Sequence, residues 1–137
     1  MFRPVVAVLT AALLSFCLFF AGCSQQAGLE EGKWKLEFFS DGEANYRVGD
    51  EYGGQMVTED LYTCTFGGGK YVLYRDGEPV LQGGYTAQPA GDSVMLTLDR
   101  EGGFLYWNCG IRTDAGGVQT VALTGSVAGI TFSFVAA

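Results

Sequence analysis

The chain has 137 residues, 21 of them glycine and none histidine, and its 8 basic residues stand against 15 acidic ones for a formal charge of −7. Without histidine there is no Ser-His-Asp or Cys-His catalytic arrangement and no usual zinc site. The acidic balance argues against nucleic acid or an anionic bilayer surface as a partner.

Arg3 precedes a nearly unbroken apolar run from Val5 to Ala21, the pattern of an export signal and a predicted N-terminal signal helix. At the end of that run, Phe20-Ala21-Gly22-Cys23 resembles the lipobox of bacterial lipoproteins, and polar Ser24-Gln25-Gln26 follows. In that family, small residues lead into a cysteine that is lipidated and becomes N-terminal. The resemblance implies a signal peptide over 1–22, lipidation at Cys23 and a membrane partner held through that lipid. The domain would then sit on the extracytoplasmic side of the cell membrane or outer membrane. An uncleaved anchor, near the roughly 20 residues of a membrane span, and plain secretion are the alternatives. By the same analogy Cys17 is a small hydrophobe in the discarded helix.

Removal of 22 residues leaves 115, enough for one small domain. Arg3 leaves with them, so seven basic residues face fifteen acidic ones, a formal charge of −8. Residues 23–31 read as the lipidated cysteine and a short tether; the stretch "SQQAGLEEG", which runs on into Gly32, spans at most about 30 Å. Residues 32–137 form the domain.

From Gly32 onward the apolar pattern alternates with period two and is broken by glycine, which is the signature of strands. In "KWKLEFF" Trp34, Leu36 and Phe38 share one face. "LYTCTF" sets Tyr62, Cys64 and Phe66 together, and "KYVLYR" then reaches Asp76-Gly77, a hairpin signal, before "EPVLQGGYT". Further strands are expected at "SVMLTL", "FLYWNCGI", "VQTVALT" and "ITFSFV", with a weaker one at "NYRV". "QMVTEDLY" could hold one helical turn capped by Thr58. The glycine-rich "FGGGK" at 66–70 sits between strands and reads as a hairpin turn, not a phosphate loop. The total is about eight or nine short strands, so the fold class is all-β: a small antiparallel up-and-down barrel or, alternatively, a β-sandwich. The inward set is Trp34, Leu36, Phe38, Tyr62, Phe66, Val94, Leu96, Leu98, Leu105, Trp107, Val121, Leu123, Ile130, Phe132 and Phe134. Its bulk predicts a packed interior.

Gly32-Lys33-Trp34 at the start of the first strand is similar to the G-x-W opening of lipocalins and of shorter lipocalin-like domains on bacterial lipoproteins. The order of hairpins is similar as well. Two departures stand out: "ITFSFV" carries no Arg to meet the Trp, and Thr113-Asp114 is followed by Ala115 in place of an aromatic. The resemblance implies a small lipocalin-like barrel without implying that family's ligand.

Cys64 and Cys109 either form a disulfide, worth about 4 kcal/mol in the chain-entropy picture, or remain two buried thiols. Ser126 in "TGSVAG" lacks the G-x-S-x-G spacing of a nucleophile elbow. The acidic pairs Asp50-Glu51 and Glu59-Asp60 could hold Ca2+ but lack the D-x-D-x-D-G pattern and read as solvated loop charges. No cofactor, metal site or catalytic residue is expected. "FLYW" is apolar on both faces, so Phe104 and Tyr106, with Tyr74, are the candidate binding surface. The expected role is a non-enzymatic binding or interaction module of the cell envelope, with an envelope protein as partner. A carrier of a small hydrophobic ligand at the barrel mouth and a carboxylate-dependent glycan-active enzyme are the alternatives.

Overall fold

The computed structural model describes residues 28–137, and every regular element among them is a β-strand. The expected signal helix, Cys17 and Cys23 lie outside the described residues. In chain order the strands are β1 Gly32–Ser40, β2 Asn45–Arg47, β3 Glu51–Tyr52, β4 Gln55–Met56, β5 Tyr62–Gly67 and β6 Lys70–Arg75. Then follow β7 Glu78–Ala90, β8 Ser93–Arg100, β9 Gly103–Thr113, β10 Gln119–Val127 and β11 Ile130–Ala136. Alternation drives most of them: in β8, Val94, Leu96 and Leu98 are fully buried while Met95 and Asp99 between and beyond them face out.

Eight strands pair antiparallel in the ring β1-β5-β6-β7-β8-β9-β10-β11, and β11 returns to pair with β1 from Trp34↔Ala136 to Ser40↔Thr131. That last ladder closes the sheet, so the fold is an up-and-down, lipocalin-like barrel and not a sandwich; closure also removes the sheet edges that would otherwise invite pairing with another chain. The 41–61 segment, which contains β2 and the β3–β4 hairpin, packs Tyr46, Tyr52 and Val57 against the core.

Turn chemistry fits the ladders. Asp76 and Gly77 both have positive φ, 51° and 80°, the pair of values a type I′ hairpin requires. In "GSVAG" the turn is confined to Ala128 and Gly129, with φ of 51° and 85°, and β10 runs through Gly125. The helical turn expected near Thr58 is not formed. Instead the Gly49 amide donates to the Val57 carbonyl at 2.8 Å and the Val57 amide to the Asp50 carbonyl at 2.7 Å, which extends the small hairpin, and the Leu61 amide closes a single turn on the Thr58 carbonyl at 3.1 Å.

One inward assignment is corrected. The β1–β11 register shifts between Leu36 and Phe38, a bulge that inserts an extra residue at Glu37 and moves every later side chain to the opposite face. Phe39 is therefore fully buried, and Phe38 lies outside beneath the Arg47 guanidinium, 5.2 Å from its ring centroid.

Aromatic rings fill the barrel in one connected run. Tyr85 meets Phe66 edge-on at 4.9 Å between centroids, Phe66 meets Trp107 at 6.4 Å, and Trp107 stacks on Phe134 at 6.2 Å. The run continues through Phe132 at 5.5 Å and Tyr62 at 4.7 Å to Phe39 at 5.6 Å, which touches Tyr46 and Tyr52 in the covering segment. These are the spacings at which offset and edge-to-face pairs attract. The packed interior expected from the sequence is thus built as a column of rings.

Candidate functional site

Phe104 and Tyr106 occupy successive outward positions of β9 and are 59% and 69% exposed. The β8–β9 register sets Tyr106 opposite Thr97 and Phe104 opposite Asp99, which leaves Met95, 44% exposed, on the diagonal from Tyr106. Cross-strand diagonal neighbours at this spacing are within reach of long side chains. The three residues form an apolar strip on the outer wall, bordered by Asp99 and by Asn108. The sequence pattern marked the two aromatics because "FLYW" has no polar face; Met95 was hidden in an alternating strand as an ordinary outward residue.

Tyr74 belongs elsewhere. It is half-buried on β6, opposite Thr63 on one side and Pro79 on the other, with β7 and β8 between it and β9. The structure therefore brings Phe104 and Tyr106 together and places Tyr74 in a separate trough over β1, β5 and β6.

The disulfide considered between Cys64 and Cys109 is not formed; both are free and buried. β5 and β9 lie four strands apart in either direction around the ring, on opposite walls. Facing walls pack about 10 Å apart, and a disulfide needs Cα atoms within about 7 Å. Burial, and then the charge of Cys109, push the Cys64 thiol up, while burial followed by the charge of Glu30 pushes Cys109 up to about 12. Because the thiolate is the reacting form, neither cysteine should react with a soluble alkylating reagent at neutral pH in the folded protein. Both should react after denaturation, and the oxidised sample should keep the intact mass of the dithiol. A native disulfide by mass spectrometry would contradict this arrangement.

Two carboxylates have environments the sequence did not reveal. Glu30 is 1% exposed, and its Oε1 has no hydrogen-bond partner; burial raises its pKa, against a lowering bond from its own backbone amide and with a further rise from Glu31. Its backbone carbonyl accepts the Trp34 indole N–H at 2.7 Å, so Glu30, expected in the tether, packs with the domain. Leu29 also packs on the core. Glu37, the unpaired residue of the bulge, accepts two hydrogen bonds from Arg112 at 2.8 and 2.6 Å and one from Ser133 at 3.0 Å. The Arg112 bond is the main cause of its lowered pKa.

The acidic pairs serve the loops. Asp50 Oδ2 accepts the Arg47 amide at 2.8 Å, and Glu59 pairs with Lys35 at 3.2 Å. Among the described residues, no group of three or more metal-binding side chains converges. Comparison of the chain with protein families, with curated proteins and with solved structures finds no match in any of the three.

Proposed function

We propose that the protein is a lipid-anchored, extracytoplasmic and non-enzymatic interaction module of the cell envelope, contacting a partner protein through the outer wall of β8 and β9. The observation that carries this reading is the exposure of Phe104 and Tyr106 on a barrel whose interior is already occupied by its own rings. Large aromatics left in water on a domain able to bury Trp107 and Phe134 completely are the residues that anchor protein interfaces. The lipobox-like Cys23 supports the location, and the acidic surface suits a domain that stays hydrated beside a bilayer.

A photocrosslinking residue placed at Tyr106 in cells tests the contact, with the same residue at Val72, outward on β6 and separated from β9 by β7 and β8, as the control. A discrete crosslinked species is expected from position 106 and not from 72. Phe104→Ser combined with Tyr106→Ser should remove contacts made by the strip while leaving Tm within a few degrees, since neither side chain supports the core. Equal crosslinking from both positions would overturn the assignment.

A further inference from the structure

The outer face of β1, β5 and β6 carries a second, chemically different surface. Its register is a small grid: Lys33 lies opposite Thr65, which lies opposite Val72, and Lys35 lies opposite Thr63, which lies opposite Tyr74. Over this grid runs an open trough of about 480 Å³, which reaches Ala137 at the end of the barrel where β1 begins and the Gly77 turn at the other end, with Glu59 and Asp60 along its side. Such a volume lies in the range of small-ligand sites.

Three features define what fits. Lys33 and Lys35 are balanced by Glu59 and Asp60, so these side chains carry no net charge and give no long-range pull on an ion of either sign. The polar groups are left open: among the described residues the Thr63, Thr65 and Tyr74 hydroxyls and the Asp60 carboxylate make no hydrogen bond, and Lys35–Glu59 is the only ion pair in the trough. Donors and acceptors thus share the trough with the Tyr74 ring at one corner of the grid. The shape, finally, is an elongated channel along the wall and not a closed pouch.

We propose that this trough binds an uncharged glycan chain. Tyr74 supplies a ring face for the C–H face of a sugar, Thr63, Thr65 and Lys33 supply donors, and Asp60 and Glu59 accept from sugar hydroxyls. A fatty ligand would leave these polar groups desolvated and unpaired, an unfavourable exchange at each of them. An anionic polymer would meet two carboxylates as well as two ammonium groups. The site is independent of the Phe104–Tyr106 strip, which lies on other strands.

The test is calorimetric titration of the full-length protein in nanodiscs with a neutral N-acetylglucosamine tetrasaccharide and, in parallel, with a tetrasaccharide in which uronic acid alternates with the amino sugar. The neutral sugar should bind with Kd between about 10 μM and 1 mM and keep that affinity from about 0.05 to 0.5 M salt, since only charged contacts are screened. Tyr74→Ala should weaken it about tenfold or more and Tyr74→Phe by less than about threefold. Asp60→Ala, at an exposed loop position that cannot unfold the barrel, should weaken it severalfold. Phe104→Ser with Tyr106→Ser should leave it unchanged. The proposal is overturned if the neutral sugar does not bind, if only the acidic sugar binds in a salt-sensitive way, or if Tyr74→Ala has no effect; loss of binding in the Phe104/Tyr106 variant would overturn it by moving the site to the other wall.

Discussion

Gly125→Ala is expected to cost about 3 kcal/mol or more and to lower Tm by roughly 10 °C or more, the largest loss for any single added methyl in the barrel. A Cβ at Gly125 would overlap the Trp107 indole at Cδ1, Cγ and Cδ2. Those atoms belong to a ring that is 1% exposed, stacked on Phe134 and held by its indole N–H on the Ser126 carbonyl at 3.3 Å. The ring has nowhere to retreat, because Phe66 occupies its other side, and the β10 backbone can move only by giving up its pairing with β9 and β11. Gly67→Ala is the control: no atom lies within 4 Å of its added Cβ, and it should be close to neutral. Trp107→Leu in the Gly125→Ala background should recover part of the loss, a coupling that thermal melts of the four variants would measure. Additive losses would mean that the two residues do not share one space.

The barrel was legible because its strands obey a simple rule. From Lys70 onward, period-two alternation and glycine-bearing turns mark each strand to within a few residues of its ends. The rule fails where one residue is inserted. Nothing in "KWKLEFF" distinguishes a straight strand from one with a bulge at Glu37, since Phe38 and Phe39 are equally able to fill the core; three-dimensional competition for the space beside Tyr62 and Tyr46 decides for Phe39. The same holds for Gly125, which stands between the expected strands "VQTVALT" and "ITFSFV" and carries no local sign of a place in either. Its role is to make room for an indole supplied from eighteen residues earlier, a relation carried by β9–β10 pairing and not by local sequence.

The candidate surfaces divide along the same line. Phe104 and Tyr106 were legible because an aromatic on the polar face of a strand breaks the alternation. Tyr74 was grouped with them on residue type alone, and only the strand order shows that β7 and β8 intervene. The trough over Lys33, Lys35, Thr63 and Thr65 was silent in the sequence: threonines and lysines on outward positions are what any solvated strand carries, and their meaning comes from lying opposite one another.

If Cys23 carries a lipid, the antiparallel order sets which end of the barrel lies nearer the membrane. β1 begins at the end that carries the Gly68-Gly69 and Gly91-Asp92 turns and the 114–118 loop, while Phe104, just after the β8–β9 turn, stands toward the other end. Since Leu29 and Glu30 already pack on the domain, only Ser24, Gln25, Gln26 and Ala27 separate Cys23 from the described chain. Four residues reach at most about 14 Å, less than the tether expected from composition. A lipid on Cys23 would hold the barrel nearly against the bilayer, with Phe104 toward the end farther from it and Met95 toward the nearer one.

Replacement of that cysteine should have the largest cellular effect. A single acyl chain gives only marginal membrane binding, and about ten further buried methylenes at about 0.8 kcal/mol each add roughly 8 kcal/mol, five to six orders of magnitude in partitioning. Nothing else in residues 23–137 would substitute for it: their formal charge of −8 repels an anionic surface, and they hold no polybasic segment to serve as a second signal. Cys23→Ala should therefore abolish incorporation of a labelled fatty-acid precursor, and the wild-type protein recovered from membranes should have the mass of a chain that starts at a diacylglyceryl Cys23. The two readouts separate the alternatives. An unlabelled wild-type protein retaining residues 1–22 would establish an uncleaved helical anchor, which ends at Ala21 and keeps the leash nearly as short; an unlabelled, shortened and soluble one would establish plain secretion and remove the leash, and with it the orientation argued from it.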